Sequence, residues 1–594
     1  MFSLIGTSFM QASAFVLRLS QRRLASCFPI LFTVLSLLAW NQAAALTPAE
    51  IAAGQQQAEQ IQREEQQRQR DQLRLDLERR KPPTRLSVPE VSPPERAVGA
   101  CRDIRVVKVK GVTLLKPITV EQITAAYTNR CLGVADIEKL LADLTNAYIR
   151  QGFIATRVYL PQQDLSGGIL EILAVEGRVE KIQINDSGKK SVSVANVAPG
   201  VIDKPLNLRD FEQALDQINR LGSNSATFDI QPGSQAGDSV VVINNTPGQT
   251  WHLGVTYDNQ GSESTGKNQT GINLSLDNPL GLNDFLSLTH RLATPYYAGR
   301  EASRSDSLTF VAPFGYSTAT LNLSHSTYAS ELATPSGTPL HASGDSDQTS
   351  LRLDRVVLRD QTSRWNLAAT VTAKGSRSYL EGILLGVSSR RLTVLDVDSS
   401  YTTGLAGVAL TLDLGYARGL SWLNALEDAD NLPDTAPRAQ FEKWKYGGNL
   451  NIPFKVGGLD GSFSSSLTGQ IAQNVLYGSE QISIGGISSV RGFVKNTLSG
   501  DNGFYLRNDL SVRIPFAGPG GKSGTLRPYL AIDHGHVNNK VAGVPNGSLT
   551  GVALGCSTNL GMFSLDLFYA RSLDQPDFMP HEGGATFLRL SATL

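Results

Sequence analysis

From about Trp251 to Leu594 the chain is a succession of strand-length segments in which apolar and polar residues strictly alternate. Turns rich in Gly, Asn, Asp and Ser separate the segments, and no amphipathic helix interrupts them. In FYLRNDLSVRI, Phe504, Leu506, Leu510, Val512 and Ile514 share one face, while Tyr505, Arg507, Asp509, Ser511 and Arg513 take the other. Val408, Leu410, Leu412, Leu414 and Tyr416 form a second such face, and Trp365, Leu367, Ala369, Val371 and Ala373 a third. A soluble sandwich also alternates, but its apolar faces pack on a second sheet. Here the opposite faces carry several charges and the segments are about ten residues long, which suits lipid outside and water inside. About sixteen such strands can be counted, an even number as closed bacterial barrels require. The last, TFLRLSATL, alternates to the final residue and can seal the closure. The expectation is a membrane β-barrel over 248–594.

The N-terminal region carries an export signal. Arg18, Arg22 and Arg23 precede the apolar run FPILFTVLSLLAW, and Ala43, Ala44 and Ala45 offer a small-residue cleavage site, giving a signal peptide over 1–45. Leu24 to Cys27 resembles a lipoprotein box but lies before the apolar run instead of after it. Beyond the signal there is no run of about 18 apolar residues, so no membrane-spanning helix is expected. Thr47 and Glu50 stand at capping-box spacing, with Pro48 at the first helical position, at the head of a polar helix over 46–80. Such a helix would span on the order of 50 Å, enough to fill a wet pore; a solvated or frayed helix fits the same residues. Five prolines make 81–100 an extended linker.

Two small α+β modules follow, over 101–177 and 178–247. IRVVKVKGV reads as a strand, ADIEKLLADLTNAYIRQG as a helix stopped at Gly152, and FIATRVYLP and GILEILAVEG as strands. This β-α-α-β-β order returns in shorter form as RVEKIQIN, LRDFEQALDQINRL, SATFDIQP and SVVVIN. Cys101 and Cys131 flank the first module, an arrangement that suits a disulfide in an oxidising periplasm, with two buried thiols as the alternative. A crosslink closing a loop of that size would contribute roughly 3–4 kcal/mol. Cys556 has no evident partner.

These pieces in this order resemble the TpsB branch of the Omp85 superfamily, the outer-membrane transporters of two-partner secretion. YIRQGFIATRVYLPQQDLSGGILEILAVEGRVEKI resembles the first periplasmic POTRA module running into the second. LNLRDFEQALDQINRL with IQPGSQAGDSVVVI resembles the second, and VTYDNQGSESTGKNQTGINLSLDNPLGLNDFLSL the opening barrel hairpin. Val490-Arg491-Gly492-Phe493 matches the signature of the family's long sixth extracellular loop, here about 477–502, which folds back into the lumen. The resemblance implies that Arg491 pairs with an aspartate on an inward strand face, and Asp533 is the candidate. The family usually has an aromatic residue two positions before that aspartate; here the position is Ala531. Within a water-filled lumen such a pair is expected to be neither fully desolvated nor fully screened.

The resemblance further implies a helix over 46–80 that plugs the pore, and a partner exoprotein bound unfolded by the POTRA modules. The exoprotein would be an adhesin, a haemolysin or a contact-dependent toxin. The binding groove is expected between Leu206 and Ile243. Outer-membrane lipid, the barrel-assembly machinery and a monomeric state complete the expected setting, with no enzyme activity, cofactor or metal. The alternatives are an insertase of the same superfamily, which usually carries more modules, and a passive porin, which needs neither modules nor the loop. Lysine plus arginine equals aspartate plus glutamate, 54 each, which argues against a nucleic-acid binder. GSESTGKN falls short of a phosphate-binding loop at Asn268 and joins two strands where that motif must open a helix. His534 and His536 share a strand face, but no nearby Cys or acidic cluster completes a metal set.

Overall fold

The structure, a computed structural model, describes residues 51, 53–55, 57, 58, 60, 61, 84, 86, 88–93, 100–296, 300–333, 339–405 and 407–594. The signal peptide and the Thr47–Glu50 pair lie outside them.

Sixteen antiparallel strands close into a barrel, running in order from Trp251–Asp258 to Ala585–Thr593, and the last pairs with the first. Alternation decides which way each side chain faces. Leu351, Leu353, Leu412, Leu414, Leu510, Leu530 and Ile532 are exposed on the outside, where lipid would cover them, while Arg507, Asp533 and Ala531 are buried inside. Observed strands reach twenty residues in Leu340–Arg359, twice the length that the alternation marks. Beyond the apolar band residues 344–348 keep pairing with 374–378 of the neighbouring strand Ser363–Leu380, and this stretch is polar on both faces. Arg377 and Asp345 meet across that stretch at 2.8 Å. Backbone pairing needs no alternation, so these extensions carry no period-2 signal.

The first module contains β1 (Arg102–Ile104), β2 (Val106–Lys110), α1 (Pro117–Ala125), β3 (Arg130–Leu132), α2 (Val134–Arg150), β4 (Arg157–Tyr159) and β5 (Ile169–Val175). Its sheet has the order β2-β5-β4, with β2 and β5 parallel. Ile137, Leu140 and Leu144 recur at helical spacing on α2 and pack on Leu170 and Ile172 of β5. The chain leaves α2 through Gly152 at φ +93°, a conformation that favours glycine. Cys101 and Cys131 form a disulfide spanning 30 residues, beside the β1–β3 pair.

The second module repeats the plan with β6 (Arg178–Asn185), α3 (Val194–Val197), α4 (Leu208–Asn219), β7 (Ala226–Pro232) and β8 (Asp238–Asn245). Its sheet order β6-β8-β7 matches that of the first. The four-residue α3 is the element that made the repeat look shortened in sequence, because one turn shows no periodicity. Asn207 caps α4, its side chain accepting from the Arg209 amide at 2.9 Å.

Helix α4 is buried on nearly every side because it lies between its own sheet and the barrel's periplasmic turns. Gln213 and Gln217 donate to the Gly315 carbonyl, each at 3.3 Å, and the Tyr316 hydroxyl donates to Asp210 at 2.7 Å. Arg359 of the barrel is only 4 % exposed and reaches Glu212 at 3.3 Å and Asp216 at 2.7 Å. The same two carboxylates accept from the linker amides of Leu86 and Thr84, at 2.7 and 2.6 Å.

Candidate functional site

The chain between strands Leu459–Ala472 and Asn502–Ala517 is a long loop that turns inward and packs against the barrel wall. Two buried carboxylates fix its roots. Glu480, 2 % exposed, receives Lys443 Nζ at 3.1 Å and Lys374 Nζ at 2.6 Å from the wall. Asp501 accepts from the amides of Leu476 at 2.8 Å and Lys540 at 2.9 Å. Between these roots a short hairpin, Ile482–Ile484 with Leu498–Gly500, carries the Val490–Phe493 stretch at its end.

Val490 and Phe493 are fully buried with Ile484, Val537 and Leu549, an apolar cluster that shuts water away from the arginine between them. Arg491 Nε donates to Asp533 Oδ2 at 2.6 Å and Nη2 to Oδ1 at 2.7 Å. The Arg491 amide adds a third bond to Oδ2 at 3.0 Å, and Nη1 donates to Asp509 Oδ1 at 2.7 Å. This bidentate fork holds orientation as well as charge. The Arg491 side chain is 6 % exposed and that of Asp533 1 %, so the contact is far drier than a water-filled lumen implies. Its dryness comes from apolar residues of the loop, Ile484, Val490 and Phe493, packed against Val537 and Leu549 of the wall.

Glycine on both sides makes the approach possible. Gly492 has φ +106°, and a Cβ there would lie 2.4 Å from the Arg571 backbone. A Cβ on Gly551 would sit 1.7 Å from the Arg491 carbonyl oxygen, so loop and wall touch backbone to backbone. Under the loop, Ala531 packs with Tyr529, Phe568 and Phe587, the last two stacked at 4.8 Å between ring centres. Aromatic bulk near Ala531 therefore comes from Tyr529 and two neighbouring strands.

Asp509, Glu480, Asp501 and Glu582 were not singled out from sequence. Asp509 sits on the inward face already legible in FYLRNDLSVRI, so parity could have nominated it; the others lie in loops, where no period exists. Of the remaining candidates, His534 and His536 point outward and bond Thr550 Oγ1 and Ser548 Oγ, each at 2.9 Å. GSESTGKN lies between two barrel strands, Trp251–Asp258 and Gln269–Asp277. Among the described residues no cluster of His, Cys, Asp or Glu is disposed to hold a metal.

Two small periplasmic modules leading into a sixteen-stranded barrel, with an arginine loop clamped to its inner wall, define a protein-conducting outer-membrane barrel. The model of the haemolysin secretion/activation protein ShlB/FhaC/HecB matches residues 237–558, and POTRA models match 103–177, in the ShlB-type form, and 178–232. The chain belongs to this family. It is 37 % identical over 465 residues to the outer membrane transporter CdiB of Dickeya dadantii, covering 77 % of this chain and 80 % of that protein. CdiB of Escherichia coli is 32 % identical over 557 residues, 93 % of this chain and 91 % of that protein. The solved structure of CdiB from Escherichia coli superposes with a TM-score of 0.80 at 32 % identity, covering 93 % of this chain and all, 100 %, of that one. The chain is thus an outer-membrane transporter that secretes a partner protein, with its POTRA modules in the periplasm.

Proposed function

We propose that the POTRA modules receive the partner unfolded and feed it into the barrel, and that a helix over 46–80 closes the resting pore. The observation that carries this reading is the shared acidic clasp. Glu212 and Asp216 of α4 hold the barrel's Arg359 and the linker's Thr84 and Leu86 at once, so one helix links capture, channel and tether. A partner can pair with the outer edge of β7, whose Thr227, Asp229 and Gln231 are exposed and which, among the described residues, pairs only with β8. The face of α4 toward the barrel is already occupied, which narrows the expected groove to this edge.

For the plug, the described positions between 51 and 61 are helical, Ala58 and Ile61 are buried, and a Cβ on Gly54 would lie 3.2 Å from the Leu380 side chain. Leu380 faces inward near the extracellular end of its strand, which supports a helix seated in the lumen. The Arg491–Asp533 contact then keeps the loop against the wall so that the rest of the lumen can clear. The haemolysin transporter ShlB of Serratia marcescens, 32 % identical to this chain, favours a cytolysin among the expected cargo classes. Removing residues 46–80 and reconstituting the barrel in planar bilayers is expected to raise its mean conductance several-fold. Unchanged conductance overturns the plug.

A further inference from the structure

Successive barrel strands are joined by turns or loops; only where the first meets the last does nothing covalent hold neighbours together. That seam runs over Gly254–Asp258 opposite Arg589–Thr593. It is shorter than the ladder on either flank, Trp251–Asp258 with Gln269–Leu276 and Phe563–Ala570 with Ala585–Ala592. Backbone bonds extend the seam by one residue at each end, between Leu253 and Leu594 and from the Asn259 amide to the Leu588 carbonyl, and toward the extracellular end a side chain adds to the pairing. Asn259 Oδ1 accepts from the Leu588 amide at 2.8 Å, and its Nδ2 donates to the Thr586 carbonyl at 3.0 Å.

The lumen loop reaches both sides of this seam. Glu582, in the loop that leads into the last strand, accepts from the amides of Val494 at 2.8 Å and Lys495 at 3.0 Å, and from that of Asn496. Asn496 Nδ2 donates back to the Pro580 carbonyl at 2.6 Å. Lys495 Nζ lies 2.8 Å from Glu263 Oε2, in the loop that leaves the first strand. Three successive residues of one loop thus grip the two loops that flank the seam.

We propose that Glu582 is a positioning residue through which the lumen loop holds the barrel's seam closed at its extracellular end. Three convergent amides around one carboxylate form a charge-assisted anchor, stronger than the exposed Lys495–Glu263 pair, which steers the other side. The short ladder needs such help, because each end of an untethered strand pair frays independently. Release of Arg491 from Asp533 would then withdraw residues 494–496 from the seam, so loop position and barrel closure change together. This coupling concerns the wall alone and stands whatever passes through the pore.

Hydrogen–deuterium exchange on the full-length chain in nanodiscs, wild type against Glu582→Gln, tests it. Amides of 254–258 and 586–593 are expected to exchange about tenfold faster in the variant, the loss of one charge-assisted hydrogen bond. Those of Ser523–Asn538, the strand that carries Asp533, keep their wild-type rates. Unchanged seam rates overturn the proposal, as does an equal increase around the whole barrel, which signals general destabilisation. If Glu582→Gln does not assemble, Lys495→Ala is expected to speed exchange at 254–258 alone, and wild-type rates there also overturn it.

Discussion

Arg491 shows how a single residue converts a flexible loop into a fixed part of a wall. An exposed ion pair contributes about 0–1 kcal/mol, too little to hold thirty residues of chain in place. Burial changes the consequence of removing it. Truncating Arg491 leaves the Asp533 carboxylate dry and unpaired, a penalty of about 3–5 kcal/mol. Arg491→Ala is therefore expected to free the loop without unfolding the barrel: protease cleavage between 485 and 497 rises and partner secretion falls more than tenfold, while heat-modifiable migration on gels persists. Arg491→Lys keeps the charge but loses the fork, and is expected to secrete at an intermediate level. The family motif pointed to Arg491 and to an inward aspartate as its partner, and strand parity made Asp533 the candidate. The dryness of the site was not legible, because Ile484, Val537 and Leu549, which cluster with Val490 and Phe493, come from three separate segments that only folding brings together.

At the scale of elements, local pattern and tertiary context divide the structure between them. Helix α2 could be read from Ile137, Leu140 and Leu144, and β6 from its alternation, with Arg178–Asn185 spanning the residues expected. FIATRVYLP, by contrast, yields only Arg157–Tyr159, since most of that run packs as a loop rather than along a sheet edge. The first module also contains a contact that no periodicity reveals. Glu176, next to the junction with the second module, accepts from the Thr113 amide at 2.6 Å, the Leu114 amide at 2.9 Å and the Tyr148 hydroxyl at 3.0 Å. Burial pushes the Glu176 carboxyl up, but these hydrogen bonds outweigh it and hold the pKa below its ordinary value of 4.5. A depressed carboxylate pKa stabilises the fold above the unfolded value and loses that stability as pH falls through the folded one. The calorimetric transition of the POTRA modules is therefore expected to be level above about pH 5.5 and to drop as pH falls below the ordinary value of 4.5. Glu176→Gln should flatten this dependence and lower the plateau by about 1–2 kcal/mol, which differential scanning calorimetry of the full chain reads directly.

At the scale of the whole molecule, α4 joins the second POTRA module to the barrel. Strand number and domain order followed from alternation and repeats, but the docking of α4 on the barrel did not. Nothing in the sequence sets its polar residues Gln213 and Gln217 apart, and the barrel's Gly315 carbonyl accepts from both where they are buried. Charge reversal at that junction, Arg359→Glu, places a third carboxylate against Glu212 and Asp216. It is expected to loosen the POTRA–barrel contact, seen as faster exchange of 208–219 with barrel rates unchanged. Transport itself is tested most directly by quantitative proteomics of culture supernatant and outer membrane after depletion of this chain. The expected result is loss of one large exoprotein from the supernatant, restored by the wild-type chain and not by Arg491→Ala, with other outer-membrane barrels at normal abundance. A normal supernatant together with broad depletion of outer-membrane barrels would contradict a dedicated secretion pore.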